Sequence, residues 1–271
     1  MNTGSVAQRL ADTPGVARTI LGAARAARGM PGADPRAMSH SWLFTGPPGS
    51  GRSLAAIDFA AALMCTDPEE PGCGRCEACR AVLETKQHTD LVLVDPQEVI
   101  IPVDTVREVI GRAASLPTVA PWRVVIFNNA DRLNNNGANA LLKTVEEPPA
   151  RTVIIMCAPS DAPEDFSQTL RSRCRHLYIP SPSVESITAQ LVSEGASDHD
   201  AHLAALTSLR HVGRARRLVN DPAVQKRRAV AINLAEDVFH GSQGFQAVTS
   251  LLKLVDSEAK ESHKEQEEAE L

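Results

Sequence analysis

The sequence predicts an α/β fold, a doubly wound domain on a parallel sheet, followed by a stretch with helices only. Three observations carry this. Short apolar runs recur at 42–45, 91–94, 124–127, 153–156 and 176–179. Several are continuously apolar rather than alternating, as strands covered on both faces require. Between them lie segments of helical spacing, and strand–helix alternation at this interval marks βαβ units.

Taken in order, residues 1–40 read as a helix followed by a loose Gly/Pro stretch. Val16, Ile20, Leu21 and Ala24 recur at helical spacing, and GMPGADP then breaks the pattern. Strand 42–45 runs into the loop GPPGSG, and Ser53 to Leu63 is Ala-rich and helical. Strand 91–94 precedes an amphipathic helix over 103–114. Strand 124–127 precedes a helix over 138–145, strand 153–156 follows, and strand 176–179 closes the domain near Pro180. From Ser183 onward strand signals vanish. The runs 187–191, 203–209 and 215–219 indicate a small helical domain closing at Asn220-Asp221-Pro222. Residues 223–258 are helical again, and Phe239, Phe245, Leu251 and Leu254 there need something to pack against. The tail SEAKESHKEQEEAEL is charged and apolar-poor, a solvent-facing helix end or a disordered terminus. The expected organisation is 1–180, α/β with a cysteine module at 65–79; 181–221, a small helical domain; and 222–271, the start of a further helical domain.

Composition narrows the class. The chain has 271 residues, 28 Lys+Arg against 33 Asp+Glu, and a formal net charge of -5. Apolar residues at 43% suffice for a core, and aromatics at 3% mean that Ala, Val, Leu and Ile must build it. No run of about 18 apolar residues is present and the N-terminus lacks a signal-peptide pattern, so a soluble cytoplasmic protein without a membrane partner is expected. An acidic chain without a Lys/Arg block is a poor candidate for gripping DNA alone. Its arginines are scattered, apart from Arg214, Arg216 and Arg217.

Gly46-Pro-Pro-Gly49-Ser-Gly51-Arg52-Ser53 fits the phosphate-loop pattern G-x-x-x-x-G-K-[ST] at every fixed position but one. Glycines let backbone N–H groups wrap a phosphate at the N-terminus of the next helix. Ser53 stands where a hydroxyl binds Mg²⁺. The lysine is replaced by Arg52, a planar fork rather than a point charge. The strand at 124–127 then runs into Asn128-Asn129, where hydrolases of this type place an Asp for the metal and often a Glu for the water. Asp131 lies further on and is expected to start the following helix. Hydrolysis by this chain is therefore not expected. The loop is either a relic or a nucleotide site poor in Mg²⁺.

Cys65, Cys73, Cys76 and Cys79 fall within fifteen residues, with two Cys-x-x-Cys steps. Four thiolates suffice for a closed, structural Zn²⁺ site, and Pro71, Gly72 and Gly74 supply tight turns. The alternatives are a redox Cys-x-x-Cys pair or four buried thiols. A DNA-reading finger is the weaker idea, because Glu69, Glu70 and Glu77 outnumber Arg75 and Arg80.

Three features together resemble one family. They are the cysteine module directly after the phosphate-loop helix, the segment NALLKTVEEPP at 139–149, and Leu170-Arg-Ser-Arg-Cys174 before the last strand. Over roughly residues 5–220 the chain is similar to the bacterial DNA polymerase III clamp loaders, a AAA+ family. Arg52, Asn128 and Asn129 resemble its delta-prime branch, and the wording GPPGSGRS and RSRCRH looks actinobacterial. The resemblance implies a AAA+ core, a helical lid and part of a helical collar, either truncated or short. It implies gamma/tau and delta subunits as partners, the sliding clamp through the complex, and primer-template DNA indirectly. Arg173 would enter a neighbouring motor's ATP site as a finger, although a surface ion pair is the plainer alternative. Arg216 matches the lid's sensor arginine, with packing or a salt bridge equally open. Leu10-Ala11-Asp12-Thr13 departs from the family's adenine-side Gly-Gln pair, which further disfavours nucleotide here. The competing function is an active gamma/tau-like motor.

Overall fold

The computed structural model describes residues 4–96, 98–239, 248–249, 252–253 and 255–256. By internal contacts the chain divides into two units, Met1–Pro182 and Ser183–Leu271. Phe245, Leu251, Leu254 and the acidic tail lie outside the described residues, as does the side chain of Phe239.

The first unit begins with α1 (Val6–Arg9) and α2 (Pro14–Ala27). β1 (Ser41–Thr45) leads through the glycine loop to α3 (Arg52–Met64), and α4 (Glu77–Arg80) runs on into a π-helical turn at Ala81–Thr85. β2 (Leu91–Val94), α5 (Val103–Ala113), β3 (Arg123–Phe127), α6 (Asn135–Glu146), β4 (Thr152–Ala158), α7 (Gln168–Arg171) and β5 (Arg175–Tyr178) complete it. The five strands form one parallel sheet in the order β2-β3-β4-β1-β5. β1, β3 and β4 are buried along their whole length.

Period-two alternation divides the strand side chains between two cores. Trp42, Phe44, Val124, Ile126, Val153 and Ile155 pack with α1, α2 and α3 on one face. Leu43, Val125, Phe127, Ile154 and Met156 pack with α5, α6 and α7 on the other. α3 is buried from Ala55 to Met64, all the way round, so only a helix rich in alanine fits there. Three of the scarce aromatics meet there: Trp42 meets Phe59 of α3 edge-on at 5.1 Å between ring centroids, and Phe44 stacks on Phe59 at 6.2 Å.

One deviation from expectation concerns Asp131. It lies in a 3₁₀ turn, Ala130–Arg132, and α6 is instead capped by Asn134, whose side chain accepts from the Gly137 N–H. The run of three asparagines, Asn134 to Asn136, conceals this cap in the sequence.

The loop between α5 and β3 is organised by a buried carboxylate. Asp90 is fully buried and accepts from the N–H groups of Thr118, Val119 and Ala120 at 2.8, 2.7 and 2.9 Å. Arg123 Nη2 pairs with it at 2.9 Å, while Nη1 donates to the carbonyls of Arg112 and Ser115.

The second unit comprises α8 (Val184–Ser193), α9 (Asp198–Thr207), α10 (Val212–Asn220) and α11 (Pro222–Phe239). Ile187, Leu191, Ala201, Ala204, Ala205 and Ala215 form its small core. α8 and α9 start at serine N-caps, Ser183 and Ser197, each accepting from a first-turn N–H.

Burial opposes ionisation of Asp90, but the N–H groups of Ala120, Thr118 and Val119 together with Arg123 outweigh it and hold the carboxyl well below the usual range. Since the folded value lies below the unfolded one of about 3.9, the stabilisation is complete above that pH and lost as pH falls through the folded value. Asp90→Ala is expected to cost about 3–5 kcal/mol, because it strands a buried guanidinium. Chemical denaturation at neutral pH and at pH 3 checks both statements: the variant should lose stability at neutral pH and show a shallower acid dependence than the wild type.

Candidate functional site

Parallel strands end together, so the residues after β1, β3 and β4 meet at one edge of the sheet. β1 runs into the glycine loop there. Gly46 N–H donates to the Pro159 carbonyl at 3.2 Å, and Ile179 N–H donates to the Thr45 carbonyl at 2.7 Å, so the loop's start is tied to the exits of β4 and β5. Gly49 and Gly51 adopt φ of 84° and 91°, and Gly51 caps α3. Gly46 is crowded as well: an added Cβ would stand 2.2 Å from the Ile179 carbonyl oxygen and 2.7 Å from Ser50 Oγ.

Arg52 opens α3 and Ser53 follows it, exposed. The Arg52 guanidinium is partly buried, and burial pushes its pKa down against the opposing pull of Cys157, Asp131 and Asp165. Asn128 continues β3, its N–H donating to the Val94 carbonyl, and Asn129 turns out of the sheet at φ 51°. The register pairs Phe127 with Met156, which sets Asn128 level with Cys157 of β4, itself paired with Phe44 of β1. Ser50 Oγ, Arg52 Nη1 and Asn128 Oδ1 are buried without a protein hydrogen-bond partner. The edge therefore offers backbone N–H groups and a cation to an anion. It places neutral amides, not carboxylates, directly after β3.

Arg173 stands on an exposed turn between α7 and β5. Its Nε donates to Glu146 Oε1 at the end of α6, and its Nη1 donates to the Thr169 carbonyl at 2.8 Å. The surface ion pair foreseen as the plainer alternative is thus present. Beside it, Arg171 donates twice to Asp161 Oδ2, at 3.0 and 2.8 Å. His176 Nε2 lies 2.6 Å from Thr45 Oγ1, and His176 Nδ1 lies 3.9 Å from Asp161. A polar chain thus links β1 to this turn. Sequence inspection missed it, as it missed Glu146, because the partners lie 10 to 131 residues apart. Arg216, in the second unit, is held by two bonds to Glu194, at 2.8 and 2.6 Å.

The four sulfur atoms of Cys65, Cys73, Cys76 and Cys79 lie within 4.8 Å of one another. A tetrahedral site with Zn–S of about 2.3 Å needs sulfurs roughly 3.8 Å apart, so a small contraction would close it. Cys76 N–H points at Cys73 Sγ and Cys79 N–H at Cys76 Sγ, both at 3.4 Å, as suits sulfurs carrying negative charge. A hydrogen bond from Cys79 draws the Cys65 thiol down to about 4. The donor set and spacing fit a closed site that could hold zinc. In contrast, burial pushes the isolated thiols Cys157 and Cys174 up to about 12.

Residues 33–183 match the family described as DNA polymerase III, delta subunit. The DNA polymerase III subunit delta' of Pseudomonas aeruginosa is 35% identical over 165 residues, 58% of this chain and 49% of that protein. That of Escherichia coli is 34% identical over 170 residues, 62% of this chain and 50% of its own. The DNA polymerase III subunit gamma/tau of Mycobacterium tuberculosis is 33% identical over 174 residues, 62% of this chain and 30% of that one. The chain thus spans about half the length of these delta' relatives. Among solved structures, a DNA polymerase III gamma subunit-related protein of Thermotoga maritima aligns over 80% of this chain and 72% of its own, with TM-score 0.48 and 19% identity.

Because the Ile179 carbonyl is backbone and cannot swing away, Gly46→Ala should cost about 1–3 kcal/mol by forcing the loop off the sheet edge. A denaturation midpoint indistinguishable from wild type would show that the crowding is relieved elsewhere.

Proposed function

Since the chain belongs to the DNA polymerase III delta-subunit family, we propose that it serves as a delta-prime subunit of the clamp loader. In this role it is a stator of the AAA+ ring that loads the sliding clamp onto primed DNA. It assembles with gamma/tau and delta subunits, meets the clamp and the primer-template through the complex, and donates Arg173 to a neighbour's ATP site without hydrolysing ATP itself. No helix among the described residues is long and apolar enough to cross a membrane, and the assembly belongs in the cytoplasm.

The observation that carries this is a contrast within one chain. The strand after which a hydrolase sets its carboxylates ends in Asn128 and Asn129, while an arginine stands on an exposed turn. Without a carboxylate directly after β3 the site lacks an anionic ligand for Mg²⁺ and a general base at that place, and loss of a base alone costs about 10²–10⁴ in rate. A cation arriving from outside stabilises charge developing on the γ-phosphoryl group, an effect of about 10³–10⁵ in related chemistries. Any nucleotide on the Gly46–Ser53 loop would sit there inertly. The second reading, an active motor, draws on the similarity to gamma/tau, and it would require Arg52 to replace lysine and two amides to replace acids.

The cysteine cluster is assigned a structural Zn²⁺ held by Cys65, Cys73, Cys76 and Cys79. Such a site has no open position and supplies folding free energy, not catalysis. Arg216 is assigned a salt bridge to Glu194, not a sensor role.

The chain alone with MgATP should release no phosphate above background, and robust release would sink the stator reading. Reconstituted with gamma/tau, delta and primed DNA, the complex should hydrolyse ATP, and Arg173→Ala should depress that activity while leaving assembly intact. Protein purified without added metal should carry about one equivalent of zinc by elemental analysis, and Cys76→Ser should lower both that content and the unfolding temperature. A metal-free, fully stable protein would refute the zinc assignment.

A further inference from the structure

Arg173 ties the end of α6 to α7 through its guanidinium. Its guanidinium is clamped on two sides. Nε donates to Glu146 Oε1, and Nη1 donates to the Thr169 carbonyl at 2.8 Å and to Ser172 Oγ at 3.2 Å. Nη2 takes part in none of these bonds. The clamp's footings are themselves fixed. Glu146 is the last residue of α6, which is anchored by buried Leu141 and Val145, and Thr169 precedes Leu170, which is fully buried. On the far side of the turn, Arg171 is tied to Asp161 by two bonds. With two of its three nitrogens engaged on packed elements, the planar fork is fixed in orientation while about a third of the side chain stays exposed.

We propose that Glu146 is a positioning residue for Arg173, an inference that rests on Arg173 acting in trans on a neighbour's nucleotide. Glu146 occupies the Nε edge of the guanidinium and leaves Nη2 to reach an incoming phosphoryl oxygen. A finger helps only where charge develops, and displacement of about 1 Å at such a point can cost on the order of 10²-fold in rate. An exposed arginine on a turn would spread over many rotamers, and the carboxylate confines it to one. The negative charge is not itself the useful property, since it opposes the approach of phosphate. What matters is an acceptor at that place. An exposed ion pair of this kind contributes little to folding, so its removal is read in activity with the fold intact.

The test uses the reconstituted complex with gamma/tau, delta and primed DNA, comparing Arg173→Ala, Glu146→Ala and Glu146→Gln. Glu146→Ala should lower kcat by most of the loss that Arg173→Ala causes, with the KM for ATP, assembly and the unfolding temperature unchanged. Glu146→Gln keeps an acceptor oxygen without the charge and should stay within about two-fold of wild type. If Arg173→Ala is impaired and Glu146→Ala is not, the inference fails while the finger assignment stands. If Glu146→Ala is faster than wild type, Glu146 restrains the arginine and the inference is overturned. If Arg173→Ala leaves the rate unchanged, the finger reading itself falls and takes this inference with it.

Discussion

The structure depends first on the burial of β1, β3 and β4 on both faces. Parallel neighbours cannot be joined by tight turns, so each connection must cross the sheet, and a sheet buried on both sides must be clad twice. The chain meets both demands with the same helices. α3, flanked by α1 and α2, covers one face, and α5, α6 and α7 cover the other. Strand polarity then has a consequence beyond packing. Because all five strands run the same way, their C-terminal ends share one edge, and ligand sites in open α/β sheets form at such edges. The glycine loop, Asn128 and Cys157 gather there through topology, from positions far apart in the sequence.

The cysteine module belongs to the same packing problem. Cys65 directly follows α3 as its C-cap, and Cys65, Cys73 and Cys79 are buried in the core on that helix's face of the sheet. The N-terminal segment closes over the module: Val6 N–H donates to the Gly72 carbonyl, and a Cβ on Gly74 would stand 2.0 Å from the Gly4 carbonyl oxygen. Arg9 then reaches Asp58 in the middle of α3 at 2.5 Å. The module is thus less an appendage than the end wall of one core.

The strands were the most legible part of the sequence, since buried parallel strands read as unbroken apolar runs. β2 was delimited at Leu91–Val94 from that pattern alone, and β1, β3, β4 and β5 within about two residues at each end. The cysteine spacing and the glycine loop were equally plain, because their chemistry is local. What could not be read was whatever rests on distant partners. Nothing near Asp90 announces that it will order Thr118 to Ala120 and pair with Arg123, 33 residues on. Glu146 stands in a conspicuous acidic-proline segment, but its bond to Arg173 spans 27 residues and depends on how α6 meets α7. Asp131 is a good capping residue and invites an earlier helix start, but the turn at Asn129 leaves the cap to Asn134, three residues beyond it.

Charge is distributed across this domain in a way that bears on the proposed division of labour. Inside, the ion pair of Asp90 and Arg123 is saturated with hydrogen bonds and stays out of any site. At the sheet edge the charge is lopsided. Arg52 is a cation whose nearest opposing groups act at a distance, and burial prevails over them. Such an edge can attract an anion, and the two positions directly after β3 carry neutral amides, weaker ligands for a divalent metal than carboxylates. Outside, Arg173 has its fork held and one nitrogen left over. Phosphoryl transfer is fastest when the metal, the oriented water and an external cation act together. On the proposed reading, this chain supplies the third and a neighbour supplies the first two. The stator reading follows from that asymmetry more than from any single substitution.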